Sequence, residues 1–294
     1  MRDRYFIQLV GLSAVWGGNF LFTRIASPQL GPSLTAATRV FLGALTLGLI
    51  MRHLKMRWPT EHWRELLLLG GIGIAGPHFL YSLSSLYLPA GYSAILSITS
   101  VLFGAVVSSW LHEDTLTPAR IVGCVVAFAG MLLVVRLGPI HPSPQLMAAA
   151  FSSICGSALS GSVAPLLKRA TSRMEPLAVT ASIHAGAFLW LLPFALWSVP
   201  HAHFTASALG SVAAMGIVTS GLAYWLYMRI VQKVSPVAAL SSTFMITIFG
   251  VFWGHVVLRE TFTSASYAGC VLVLVATLLV AGVNPLRRFV RRMQ

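Results

Sequence analysis

His78 stands in the middle of an apolar run, directly after Gly76 and Pro77. An ionisable group in such a place faces a cavity or a partner, and the Gly-Pro pair ahead of it is a place for a kink that opens the helix wall. Other residues able to hold a solute recur at helical spacing in the apolar runs. His78 shares its run with Tyr81, Ser82 and Ser85; the next run carries Ser93, Ser97, Ser100, Gly104 and Ser108. Ser13, Trp16, Asn19, Phe20 and Thr23 lie near the start of the chain, and Ser153, Ser157 and Ser160 in its middle. Tyr224, Trp225, Tyr227, Ser241, Ser242, Thr243 and Thr247 follow in two later runs. Hydroxyls, an imidazole and aromatic faces supply hydrogen bonding and stacking, which suits amphipathic or aromatic solutes. The expected substrate-binding set is Trp16, Asn19, Phe20, His78, Tyr81, Ser82, Ser97, Ser157, Ser160, Tyr224 and Ser242. Each serine has a second possible role, because small residues let membrane helices approach and hydroxyls bond to neighbouring carbonyls. His184 and His255 lie nearer run ends and read as structural. Arg24 and Arg39 either snorkel to an interface or guide an anionic group.

All seven acids, Asp3, Glu61, Glu65, Glu113, Asp114, Glu175 and Glu260, fall in or beside loops. With no carboxylate inside an apolar run, the usual proton relay of pumps is missing. There is no GxxxxGK[ST] loop for nucleotide phosphates. No HxxxH, HExxH or paired carboxylate offers metal or acid–base chemistry, and adjacent Glu113 and Asp114 point apart on any helix. Cys124, Cys155 and Cys270 lie in apolar runs without zinc spacing. The reading is a non-enzyme without cofactor or metal, in which a solute moves down its gradient. Proton coupling through His78 is the alternative.

The elements that must position these residues follow from composition. Of 294 residues, 56% are hydrophobic and 9% charged, against about 25% charged in soluble domains, so the solvent for this surface is lipid. The net charge of +13 is spread over short loops rather than one stripe, and no groove-reading or stacking motif accompanies it, which argues against nucleic acid. A bilayer is crossed by about 20 apolar residues. Such runs fall at 6–26, 33–51, 66–87, 91–110 and 119–136, then at 145–168, 176–199, 206–228, 236–257 and 265–283. The expected fold is all-α, with ten transmembrane helices. No cleavage signature follows the first run, so it reads as a retained span. Lys and Arg gather on the side of the N-terminus: Arg2, Arg4, Arg52, Lys55, Arg57, Arg64, Arg120, Lys168, Arg169, Arg173, Arg229, Lys233 and the tail arginines. Only Arg24, Arg136 and Arg259 fall opposite, each at a run end. Both termini are therefore expected in the cytoplasm.

The chain also repeats itself. Residues 111–134 match 257–280 at a constant offset, pairing Asp114 with Glu260, Thr115 with Thr261, Gly123 with Gly269 and Cys124 with Cys270. The same register pairs Gly104 with Gly250 and Tyr81 with Tyr227, and a weaker match links Pro32 with Pro176. Five spans per half force the second copy to enter from the opposite side. Residues 1–137 and 145–283 then form two inverted five-helix repeats around a central cavity, with 284–294 as a basic cytoplasmic tail. Inverted halves that exchange conformations turn an inward-open transporter into an outward-open one.

These residues resemble the EamA type of the drug/metabolite transporter superfamily. Trp16-Gly17-Gly18-Asn19-Phe20 with Arg24 is similar to the family's first span, and Pro32 followed by Arg39 to its second. Asp114-Thr115-Leu116-Thr117 and Glu260-Thr261-Phe262-Thr263 resemble its acid–x–hydrophobic–Thr element, each ahead of a glycine-rich span. The chain departs from the pattern at Asp114, where Glu is usual, at Ser100 and Ile246, where proline is common, and at Ile183, which lacks the arginine of Arg39. The resemblance is greatest to bacterial exporters of aromatic amino acids. It implies export of aromatic and other neutral amino acids by alternating access at a cell inner membrane, as a monomer or weak oligomer in lipid. A proton-coupled exporter of drugs or other metabolites is the alternative within the family, and a membrane enzyme the alternative outside it.

Overall fold

The computed structural model describes residues 3–88, 93, 96–113, 117–134, 143–240, 242–258 and 264–281. Among them the chain is helical throughout, with no strand. It builds α1 (Asp3–Gly17), α2 (Asn19–Leu30), α3 (Pro32–His53), α4 (Trp63–Gly70), α5 (Gly76–Ser84), α6 (Thr99–Trp110) and α7 (Pro118–Val134). It continues with α8 (Pro144–Arg173), α9 (Pro176–Ser198), α10 (Ala206–Ala213), α11 (Tyr224–Val231), α12 (Pro236–Leu240), α13 (Ser242–Leu258) and α14 (Ser264–Ala281). Five of these open on proline, whose fixed φ and missing N–H suit the first helical turn. Ser143 and Thr205 cap α8 and α10 by accepting from the Leu146 and Ala208 amides, each at 3.2 Å. Gly31, at φ 80°, makes the left-handed turn that reverses the chain between α2 and α3.

Among the described residues, six segments are long and apolar enough to cross a membrane: Ile7–Leu30, Pro32–His53, Thr60–Ser84, Pro144–Arg173, Pro176–His201 and Ala206–Val231. The apolar helices α6, α7, α13 and α14 are shorter. Large apolar side chains point outward, Trp197 at 81% exposure and Phe151 at 69%, as lipid rather than water requires. Two of the long segments are interrupted by π-helical turns, at Gly71–Ala75 between α4 and α5 and at Ala214–Ala223 between α10 and α11. The register that pairs Tyr81 with Tyr227 places these widened turns at matching points of the two halves.

Helix packing obeys the same exchange. α1 packs on α13, and α8, its counterpart, packs on α6. α3 packs on the second π segment, and α9 on α4 and the first. α3 with α9, and α7 with α14, pair across the exchange with each other. Glycine makes the closest of these crossings. A methyl group on Gly17 would lie 2.8 Å from the Gly250 nitrogen. One on Gly161 would meet the Ser100 carbonyl and lie 3.0 Å from the Gly104 nitrogen. The second pair is the first with the halves exchanged, since Pro32–Pro176 register aligns Gly17 with Gly161. In lipid, association depends on van der Waals packing, which such contact between backbones maximises.

The acid–Thr elements, Thr117 apart, and the basic tail lie outside the described residues.

Candidate functional site

One cavity of about 190 Å³ lies where the two halves meet, well above the 10–15 Å³ or so that a single water needs. Its wall takes Trp16 from α1 and Asn19, Phe20, Thr23 and Arg24 from α2. Arg39 comes from α3, and Gly73, Pro77, His78 and Tyr81 from the first π turn and α5. Ser93, Ser97 and Ser100 come from the segment that runs into α6, and Ser160, Ala164 and Leu167 from α8. Tyr224 and Tyr227 of α11, Leu240 of α12 and Ser242, Thr243 and Ile246 of α13 also line it, with Ser85 and Leu88 just beyond α5. Matching positions of the two halves both line it: His78 and Tyr224, Tyr81 and Tyr227, Trp16 and Ser160.

The aromatic part is tightly built. The Trp16 ring lies 5.1 Å from Tyr227 and 6.0 Å from Tyr224, the two tyrosines 5.8 Å apart, within the range of edge-to-face attraction. The indole Nε1 donates to the carbonyl of Thr219 at 3.0 Å, in the second π segment. Thr219 Oγ1 has two acceptors within reach of its single proton, Asn19 Oδ1 at 3.0 Å and Met215 O of its own helix at 2.6 Å. Arg39 Nε donates to Ser220 Oγ at 2.7 Å, and Nη2 to Thr219 Oγ1 at 3.3 Å. Arg39 thus turns inward to the second half rather than outward to an interface. The widened turn of residues 214–223 is the point on which Trp16, Asn19 and Arg39 of the first half converge.

On the opposite wall, Tyr81 Oη and Ser157 Oγ are 2.9 Å apart. The single Ser157 Oγ proton has the Leu96 and Ser153 carbonyls within reach, at 3.2 and 2.9 Å, and Ser152 donates to Leu80 O at 2.9 Å. His78 Nε2 is buried with no hydrogen-bond partner. His184 is fully buried, its Nδ1 2.8 Å from Thr180 O and its ring 5.0 Å from Tyr224, while its Nε2 has no partner. Among the described residues no group of three His, Cys, Asp or Glu could hold a metal ion. The described carboxylates lie at one end of the bundle: Glu65 meets Arg173 at 2.7 Å, and Glu113 meets Arg169 at 2.6 Å.

Of the residues expected from sequence, Trp16, Asn19, Phe20, His78, Tyr81, Ser97, Ser160, Tyr224 and Ser242 come together on the cavity wall. Ser82 and Ser157 are buried behind it, Ser157 as the helix-to-helix link to Tyr81. Trp225 turns away, under Arg229 at 5.9 Å. Ser241 and the Thr247 side chain lie outside the described residues. The residue that sequence reasoning placed least well is Arg39. Its signal was present, a guanidinium inside an apolar run.

A two-part family model, described as the EamA-like transporter family, matches residues 4–136 and 147–282. The chain belongs to the EamA-like transporter family. It is a multi-span membrane protein of a transporter family, in keeping with its composition. The chain is 25% identical over 95% of its length to the uncharacterized transporter YvbV of Bacillus subtilis (strain 168), covering 92% of that protein. It is 22% identical over 93% of its length to a probable amino-acid metabolite efflux pump of Salmonella typhimurium (strain LT2), covering 92% of it. A solved crystal structure shares the fold, with a TM-score of 0.76 at 18% identity, over 93% of this chain and 97% of that one.

Proposed function

We propose that the protein exports amino acids, aromatic and other neutral ones, across the bacterial inner membrane by alternating access, without a coupling ion. The observation that carries this reading is the cavity itself. It lies between two halves whose contacts are related by exchange, and its wall pairs His78 with Tyr224 and Tyr81 with Tyr227. Two similar halves around one site can swap conformations and so expose the site alternately to either side. Stacking faces and hydroxyls on the wall suit an amino acid, and the similarity to a probable amino-acid metabolite efflux pump agrees with that. The absence of a carboxylate from the described lining supports movement without a proton relay.

In this reading α6, α7, α13 and α14 also cross the membrane, giving ten spans in two inverted sets of five. The end that carries Arg52, Lys55, Arg64, Arg169, Arg173 and Arg229 faces the cytoplasm, as the positive-inside rule requires. Purified protein in proteoliposomes, offered labelled Phe, Thr and Lys against methyl viologen, tests the proposal. Saturable amino-acid flux that equilibrates without a proton gradient is expected. Flux of methyl viologen alone, driven by a proton gradient, would overturn the proposal in favour of a drug antiporter.

A further inference from the structure

Two guanidiniums line the cavity, and no described carboxylate pairs with either. Arg24 is exposed, its Nη1 donating to Leu88 O at 3.3 Å, whereas Arg39 is turned into the protein. Its guanidinium lines the cavity and is held on one side by neutral groups: Ser220 Oγ at 2.7 Å, Thr219 Oγ1 at 3.3 Å and Met215 Sδ at 4.0 Å. A guanidinium has five N–H donors in a rigid fork and stays protonated. Three are directed into the protein by these contacts, and the others remain for the cavity. Two imidazoles, His78 and His184, share this region, and either adds positive charge if it adds any. The described carboxylates are elsewhere: Glu65 and Glu113 pair with arginines at one end of the bundle, and Glu61 and Glu175 are exposed. A charge withdrawn from water costs several kcal/mol unless a partner compensates it.

A guanidinium fixed in orientation, with free donors and no resident counter-ion, is complementary to a planar oxyanion, which it takes through two parallel hydrogen bonds. We propose that Arg39 is the seat of the solute's carboxylate, and that the cavity therefore selects carboxylate-bearing solutes, zwitterionic or anionic, and rejects organic cations. This rests on the transporter reading above and narrows it. The hydroxyls of Thr219 and Ser220 hold the fork in place, so its preorientation costs the solute little. The aromatic group of Trp16, Tyr224 and Tyr227 supplies the apolar wall for the rest of the molecule.

Three solutes that share a phenyl group separate the contributions: phenylalanine, 3-phenylpropionate, which lacks the ammonium, and phenethylamine, which lacks the carboxylate. Their binding to purified protein is read by intrinsic tryptophan fluorescence, and their competition with labelled phenylalanine in proteoliposomes by flux. The wild-type protein is expected to bind phenylalanine and 3-phenylpropionate and to ignore phenethylamine. Arg39→Gln is expected to weaken the two carboxylates roughly ten- to a hundredfold, the worth of a hydrogen bond to a charged group, and to abolish discrimination against the amine. Arg39→Lys keeps the charge without the fork, so it should keep the preference for carboxylate at reduced affinity. Ser220→Ala, which loosens the anchor only, should lower carboxylate affinity less than Arg39→Gln does. Equal binding of phenethylamine and 3-phenylpropionate by the wild type would overturn the proposal. So would an Arg39→Gln variant that weakens all three solutes alike. If the wild type moves none of them across the bilayer, the transporter reading fails, while the fluorescence titrations still decide whether Arg39 holds a carboxylate.

Discussion

Trp16 and Thr219 are joined across the two halves, indole Nε1 to backbone carbonyl at 3.0 Å. The acceptor belongs to a π-helical turn, where the inserted residue loosens the helix's own pairing and leaves the carbonyl open to an outside donor. Trp16→Phe keeps a ring against Tyr224 and Tyr227 but removes this donor. A hydrogen bond is worth about 0.5–1.5 kcal/mol, so KM for amino-acid flux is expected to rise several-fold with the folded protein retained. Trp16→Ala also removes the ring, at about 3–5 kcal/mol, and should lower the melting temperature as well. Equal behaviour of the two variants would mean that the hydrogen bond, and not the ring, is what matters.

The glycine crossings make a prediction about stability. Gly17→Ala and Gly161→Ala each place a methyl group against a neighbouring backbone, which must shift at about 1–3 kcal/mol. Gly11 and Gly210, also helical, have nothing within 4 Å of a new methyl group, and Ala there should be neutral or stabilising by up to about 1 kcal/mol. Thermal unfolding in detergent, followed by size-exclusion chromatography of the heated samples, should separate the two pairs cleanly.

Tyr81 and Ser157 join the halves on the opposite wall. Tyr81→Phe breaks the pair while preserving the ring, and Ser157→Ala breaks it from the other side. A double-mutant cycle on KM or melting temperature should return a coupling of about 0.5–1.5 kcal/mol. If the link also holds one conformation, a cysteine placed at Ser97 will react with a membrane-impermeant thiol reagent at a different rate in Tyr81→Phe. An unchanged rate would leave the pair with a packing role alone.

The exposed pair Glu65–Arg173, for all its 2.7 Å geometry, should matter little. Surface ion pairs are worth about 0–1 kcal/mol, so Glu65→Gln is expected to leave unfolding temperature and flux within error of the wild type. A larger loss would show that this end of the bundle works as more than a charged rim.

Much of this architecture was legible in the residues before any coordinates. Apolar runs gave the helices, and the offset that aligns Tyr81 with Tyr227 proved to align helix contacts and π-helical turns too. Aromatic and hydroxyl residues at helical spacing found most of the cavity wall, because a polar cavity between apolar helices has to be lined by the few polar groups they carry. What stayed hidden depended on rotation about a helix axis. Ser157 and Ser160 look equivalent in sequence, yet one hydroxyl faces α5 and the other the cavity. Arg39 was open between two directions because a long side chain can reach either, and only the hydroxyls of Thr219 and Ser220, distant in sequence, decide it. The π-helical turns left no mark in the hydropathy pattern, since an inserted residue in an all-apolar stretch changes no period that can be seen.

The contacts Gly17–Gly250 and Gly161–Gly104 bear on how such a bundle can move. Where two backbones touch at glycine, helices cannot approach further, and pulling them apart loses that contact. They can still tilt about the point of contact, since the glycines themselves carry no side chain to interlock, although Leu240 packs beside Gly104 and Phe249 beside Gly17. If the proposed alternating access holds, these two crossings, one in each arm of the exchange, are the natural fulcrums for the rocking of the helices.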